Sequence, residues 1–228
     1  MHARDVMTSP AICVAPNTQL VAIVDLMLKH RISAVPVVSS DGALVGIVSE
    51  GDLMHRKELG VPAERSWWLR ALGGKAMLAD EFVKAHATLA SEVMTTEVVV
   101  AGADTALPDI AKLLERNRIK RVPIIAAGKV AGIVSRANLL QALSLDPAGA
   151  APHPTDSDRE IRKQILASLA SEKWNDIAHL NLVVRGGIVY LWGEVTSPSH
   201  RNALIAAARD TKGVNDIVDH TQTFQTLY

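Results

Sequence analysis

The sequence predicts an α/β region built from two copies of one module, followed by a small α+β domain. Three observations predict this. Short segments recur once, in order, at a nearly constant offset. A Pro/Ala/Gly-rich stretch, Asp146-Pro147-Ala148-Gly149-Ala150-Ala151-Pro152-His153-Pro154, follows the second copy. Beyond that stretch the strand-like segments alternate apolar and polar residues, a pattern the repeated part lacks.

Asp5-Val6-Met7-Thr8 returns as Glu92-Val93-Met94-Thr95, and Ala34-Val35-Pro36-Val37-Val38 as Arg121-Val122-Pro123-Ile124-Ile125. Gly46-Ile47-Val48-Ser49 returns as Gly132-Ile133-Val134-Ser135. The offset is 87 for the first two (7 to 94, 36 to 123) and 86 for the third (46 to 132). The missing residue falls between Ser39-Ser40-Asp41-Gly42 and Ala126-Ala127-Gly128, a turn where length changes cost little. Each copy opens a helix after a polar signal, Asn17-Thr18 or Asp104-Thr105. Leu20, Val24, Met27 and Leu28 give the first its apolar face, and Leu107, Ile110, Ala111 and Leu114 the second. Pro108 fits a helix start. A hairpin follows, Val35 to Val38 and Leu44 to Val48 around Asp41-Gly42, and a second helix begins at Ser49. The hairpin strands are almost wholly apolar, which predicts burial on both faces.

Residues 58–90 read as a helical connector, helix-like from Leu78 to Leu89, with Trp67-Trp68 as a packing anchor and Gly73-Gly74. After the 146–154 linker, Asp156 to Ala170 reads as a capped amphipathic helix with Ile161, Ile165 and Leu169 on one face. Leu180, Leu182 and Val184 form a half-buried strand, Gly186-Gly187 a two-residue turn, and Val189, Leu191, Gly193 and Val195 the returning strand. A helix from Ser197-Pro198 to a cap at Gly213 and a strand from Val214 to Phe224 complete the order helix, strand, strand, helix, strand. The expected boundaries are 1–57, 58–90, 91–145, 146–154 and 155–228.

Composition narrows the function. Lys and Arg balance Asp and Glu at 24 each, so no bulk attraction to nucleic acid is expected. With 48% apolar residues the chain is not disordered. The opening residues do not read as a signal peptide, no apolar run spans a membrane, and Cys13 is the only cysteine. A cytoplasmic protein is expected. Cys13 lies in a predicted strand with no activating partner, the histidines lack metal-ligand spacing, and Gly73-Gly74-Lys75-Ala76 is not a phosphate-binding loop. No enzyme chemistry, no catalytic residue and no metal site is expected.

The most informative segments are the strand-to-helix turns. Ser49-x-x-Asp52 is a capping box that satisfies helix N–H groups without a ligand. The same turn can also present N–H groups and a hydroxyl to a phosphate, and a carboxylate to ribose hydroxyls. The Gly-apolar-x-Ser-x-x-Asp turn, the apolar-Pro-apolar strand and the opening Val-Met-Thr together resemble a tandem pair of CBS domains, over residues 3–57 and 91–145. That resemblance implies a pseudo-twofold pair with two clefts that bind AMP, ADP, ATP or another adenosyl compound, and a homodimer through the pair. It places Ser49 and Ser135 against phosphate or ribose, Asp52 on the ribose, and Thr8 and Thr95 beside the adenine. Ser33, Ala34 and Pro36 line one cleft; Lys120, Arg121 and Pro123 line the other. Asn138 stands where the pattern has Asp, a loss of about 1 kcal/mol in ribose binding. Arg136, Lys120 and Arg121 add positive charge beside it. Two unequal sites are therefore expected, the Asp52 turn favouring ribose and the Arg136 side favouring phosphates. No cofactor is required; magnesium would accompany ATP.

Gly187-Ile188-Val189-Tyr190-Leu191-Trp192-Gly193-Glu194-Val195, with Gly213-Val214-x-x-Ile217 after a helix, is similar to a BON domain over 156–225. That likeness implies a phospholipid or protein partner. Residues 151–228 carry eight basic and nine acidic groups, which does not favour anionic lipid. Trp174 and Trp192 are expected in packing roles. Two readings stay open: a nucleotide sensor signalling through 58–90 or 146–154 to a partner of the last domain, and a structural adaptor whose last domain binds constitutively.

Overall fold

The computed structural model describes residues 1–54, 87–145, 153–172 and 180–223. Trp67-Trp68, Gly73-Gly74, Trp174, Phe224 and most of the connector and linker lie outside them. The chain forms two compact units. One is Ile12–Val98 with Gly128–Val130; the other is Met1–Ala11 with Val99–Ala127 and Ala131–Tyr228.

In the first unit, helix α2 (Leu20–Lys29) packs on a hairpin of β1 (Ala34–Val38) and β2 (Leu44–Ser49), which runs into the short helix α3 (Glu50–Met54). The polar pair ahead of α2 does not cap it. Thr18 Oγ1 accepts from the Ala15 N–H and shapes the turn before the helix, and the cap residue is Gln19. Leu20, Ile23 and Met27 are the buried face of α2, whereas Leu28, expected inside, is 71% exposed. One hundred degrees per residue carries position 28 round from the face held by 20, 23 and 27. Burial on both faces holds for β1 but not for β2, where only Gly46 and Val48 are buried. β1 is central, because Val14 pairs in parallel beside Val37 while β2 pairs on its other side. Ala90–Val93 forms the helical turn α4, and Leu89 before it is extended and bridges to Gln19, so Leu89 is not helical as expected; residues 78–86 of that expectation lie outside the described residues.

The second unit repeats the pattern. The short strand β3 (Ala101–Gly102) lies parallel to β4 (Arg121–Ala126), which is flanked on its other edge by β5 (Lys129–Ser135). β3 occupies the place Val14 takes in the first copy (14 to 101). Helix α5 (Leu107–Arg116) starts with Pro108 in its first turn and buries Ile110 and Leu114, while Ala111 is exposed. Helix α6 (Arg136–Leu145) follows β5 directly. The helical turn α1 (Ala3–Val6) shares this unit's core with Val122, Ile124 and Val134.

The same unit holds the C-terminal domain. Helix α7 (Asp156–Ser171) begins at a capping box in which Asp158 Oδ2 accepts from the Thr155 N–H and hydroxyl. Ile161, Ile165 and Leu169 pack on an antiparallel hairpin, β6 (Leu180–Arg185) and β7 (Ile188–Val195), with β8 (Asp216–Thr223) parallel to β7. Gly186 and Gly187 turn the hairpin at φ of +60° and +75°, which side chains rarely adopt. Helix α8 (Pro198–Arg209), capped by Ser197, stops four residues before Gly213. Gly213 instead makes the left-handed bend, φ +94°, that starts the return to β8. β6 departs from the expected half-burial: all six residues are buried. Its second face is covered within the unit. Val183 joins the copy-two core, Asn181 Nδ2 donates to Gln141 Oε1 at 2.5 Å, and Arg185 donates to the Leu145 carbonyl at 3.0 Å. Among the described residues no helix is long and apolar enough to cross a membrane.

Candidate functional site

Each strand-to-helix turn is assembled from both copies. Asp52 Oδ2 accepts from the Ser49 N–H at 2.9 Å and the Ser49 hydroxyl at 2.7 Å. Its other oxygen, Oδ1, accepts from the Thr95 hydroxyl at 3.3 Å. Thr95 arrives from the opening segment of copy two, held by paired bonds with Ile47: the Ile47 N–H to the Thr95 carbonyl at 3.0 Å and the Thr95 N–H to the Ile47 carbonyl at 2.9 Å. The Ser33 carbonyl accepts from the Glu50 N–H at 3.0 Å, and Ala34 is opposite Ser49 in the hairpin. Pro36, opposite Ile47, is buried in β1 and packs rather than faces solvent.

The second turn matches almost atom for atom. Asn138 Oδ1 accepts from the Ser135 N–H and hydroxyl, each at 2.7 Å. The Asn138 amide N–H donates to Thr8 Oγ1 at 3.4 Å, so the threonine hydroxyl that donates to Asp52 in one turn accepts in the other. Thr8 is held to Ile133 by the same two-bond bridge, at 2.9 and 3.0 Å. The Lys120 carbonyl takes the Arg136 N–H at 3.2 Å. Pro123 is buried like Pro36.

This crossing leaves no room for a side chain at Gly132 and crowds one at Gly46. A Cβ on Gly132 would stand 2.7 Å from the Thr8 carbonyl and 2.8 Å from Met7 Sδ; on Gly46 it would meet Met94 Sδ at 2.5 Å. The Val-Met-Thr and Gly-Ile-Val-Ser motifs are therefore two halves of one contact.

The turns differ in burial and charge. Asn138 is 4% exposed with both amide groups engaged, whereas Asp52 is half-buried. The first turn carries Glu50 and Asp52. The second carries exposed Lys120 and Arg136 and half-buried Arg121, and the Arg136 guanidinium donates to the Ile119 carbonyl at 3.3 Å. Two further residues escaped the motif reading. Arg31 and Arg118 have φ of +47° and +53° and end the helices just before the two cleft segments. Their identity at the repeat offset (31 to 118) was the available signal. Cys13 is half-buried, and burial pushes its thiol up from the ordinary value, which makes it a poor nucleophile.

Comparison with known proteins identifies the repeated region and the domain after it. The CBS domain model matches residues 3–58 and 90–145, and the BON domain model matches 157–223. An uncharacterised protein of Methanocaldococcus jannaschii is 36% identical over 63% of this chain and 91% of its own length. The CBS domain-containing protein YhcV of Bacillus subtilis is 30% identical over 65% of this chain and 90% of its own. The solved structure of CBSX2 in complex with AMP is 26% identical, covers 64% of this chain and 97% of its own, and superposes with a TM-score of 0.55. The repeated turns thus belong to a CBS-domain pair, and the chain is a member of the CBS-domain family that carries a BON domain after the pair.

Proposed function

We propose that this chain is a non-catalytic cytoplasmic sensor that binds an adenine nucleotide or related adenosyl ligand at the two Ser-x-x-Asp/Asn turns. The carrying observation is the repeated Ser–Asp/Asn–Thr constellation, in a chain whose CBS region is similar to a pair solved with AMP. The half-buried Asp52 carboxylate suits the ribose hydroxyls, each a charge-assisted bond. Lys120, Arg121 and Arg136 suit phosphates, with magnesium accompanying ATP. The BON domain supplies a site for a phospholipid or protein partner. Exposed Val21 and Leu28 on α2, each 71% accessible, and Leu140 and Leu143 on α6 support a homodimer through the CBS pair.

A thermal-shift screen with AMP, ADP, ATP, S-adenosylmethionine, NAD and GTP tests this. A ligand at a hundred times its dissociation constant adds about 2.7 kcal/mol to the folded state. A shift with an adenosyl compound and none with GTP is expected. Calorimetry on Asp52→Ala and Asn138→Ala then separates the turns, the larger loss being expected at Asp52. Equal losses would contradict unequal sites. A second reading has its own observation: Asp52 and Asn138 are both satisfied as helix caps without a ligand. If no nucleotide shifts the protein, the chain is an adaptor whose BON domain binds constitutively.

A further inference from the structure

The Met7–Thr8 peptide is gripped from two sides. Its carbonyl accepts from Arg162 Nη2 of α7 at 2.6 Å, and its N–H donates to the Ile133 carbonyl of β5 at 2.9 Å. A peptide unit is planar, so its C=O and N–H move together. One residue earlier the Met7 side chain lies over Gly132, and one atom group later the Thr8 hydroxyl accepts from Asn138. The same α7 holds the start of the segment. Arg159 Nε donates to Asp5 Oδ1 at 2.9 Å, and Arg159 Nη1 to Asp156 at 2.7 Å. Asp5 is 2% exposed, and its second oxygen accepts from the His2 N–H at 2.8 Å. Arg162 is 7% exposed and also donates to the Leu182 carbonyl of β6.

In the other copy the residue at the Asp5 position is placed differently. Glu92 replaces Asp5 in the repeat, is exposed, and accepts from the Thr88 and Leu89 N–H groups at 2.7 and 2.9 Å.

We infer that the C-terminal domain reads the copy-two turn directly, through residues 5–8 of the same unit. Arg159 and Arg162 are positioning residues: they set the Met7–Thr8 peptide, which sets Thr8 against Asn138. A ligand that moves Thr8 or Ile133 must strain or release the Arg162 bond, so occupancy of this turn and the seating of α7 are linked. The coupling is reciprocal, because linkage acts equally in both directions. It runs through packed side chains inside one unit and needs neither the connector nor the 146–154 linker. Its ligand aspect rests on the nucleotide reading above; its structural aspect does not.

The test compares full-length wild type, Arg159→Gln, Arg159→Lys and Lys163→Gln by amide exchange and by AMP calorimetry. Lys163 lies on the same helix, is 79% exposed at its side chain, and controls for loss of charge. Without ligand, Arg159→Gln is expected to speed exchange at Thr8 and Ile133 by about tenfold or more, leaving Thr95 and Ile47 unchanged. Arg159→Lys should keep part of the wild-type protection, and Lys163→Gln all of it. Unchanged Thr8 and Ile133, or equal acceleration at both bridges, would overturn the coupling. If AMP binds wild type, Arg159→Gln should alter its affinity at one of two sites by about fivefold or more. Affinities unchanged from wild type at both sites would overturn the ligand linkage. If AMP, S-adenosylmethionine and ATP all fail to bind wild type, the nucleotide reading falls, and the exchange result alone decides the structural coupling.

Discussion

Asp158 shows how much one carboxylate can hold. Burial opposes its charge, but the N–H groups of Thr155, Gly187 and Gly186 and the Thr155 hydroxyl outweigh that and hold it below the usual carboxylate range. It thereby fixes the start of α7 and the β6–β7 turn together. A carboxyl with a lowered folded value stabilises above its unfolded value and loses that contribution as pH falls through the folded one. Asp158→Asn is therefore expected to lose about 1–3 kcal/mol at neutral pH. The deficit should shrink as pH falls below about 4, where the carboxyl of the unfolded chain protonates, and disappear once the folded group protonates too. Urea midpoints at pH 7 and pH 3 give the comparison, and a deficit that persists unchanged at pH 3 would refute this role. At the same scale, the candidate site was legible in residue type: Ser49, Asp52, Ser135 and Asn138 do meet as pairs. Which threonine closes which turn was not legible. Thr8 and Thr95 look alike in sequence, and only the chain's path sends Thr8 to Asn138 and Thr95 to Asp52.

Among the elements, the crossing of each Met-Thr segment over the other copy's hairpin explains both motifs by contact. The two crossings differ in rigidity. A methyl on Gly132 meets the Thr8 backbone carbonyl at 2.7 Å, whereas one on Gly46 meets only the flexible Met94 side chain. Gly132→Ala is expected to cost about 1–3 kcal/mol in chemical denaturation, and Gly46→Ala less, since a thioether can swing away. Equal losses would contradict the backbone contact. Elements whose partners are close in sequence were read well: the β1–β2 hairpin, the Gly186-Gly187 turn and the capped α7 follow from local pattern. Burial read from a strand's own residues failed where neighbours are distant. β2 looks buried and keeps only Gly46 and Val48 inside; β6 looks half-exposed and is covered on both sides.

For the molecule as a whole, the second unit joins copy two to the BON domain through the outer face of β6 and the clasp on α1. Val183 sits at 0% exposure in the copy-two core while its neighbours Leu182 and Val184 belong to the BON core. A charge at position 183 would enter the first of these without disturbing the second. Val183→Asp is expected to destabilise this unit by at least about 2 kcal/mol. Amide exchange should rise around α6 and β5 more than in β8. A rise confined to the BON sheet would show that Val183 serves that domain alone.

The sequence by itself determined the duplication, the hairpins, the Ser-x-x-Asp/Asn turns and the alternation that builds the BON sheet. All of these are encoded within a few residues or at a fixed repeat offset, so propensity and periodicity carry them. Only the tertiary structure decided which copy each Val-Met-Thr segment serves, and that Asp5 answers Arg159 while its counterpart Glu92 stays at the surface. Those pairings join residues 43 to 154 positions apart. Their stability comes from burial shared between segments, and no local pattern records which distant partner provides it.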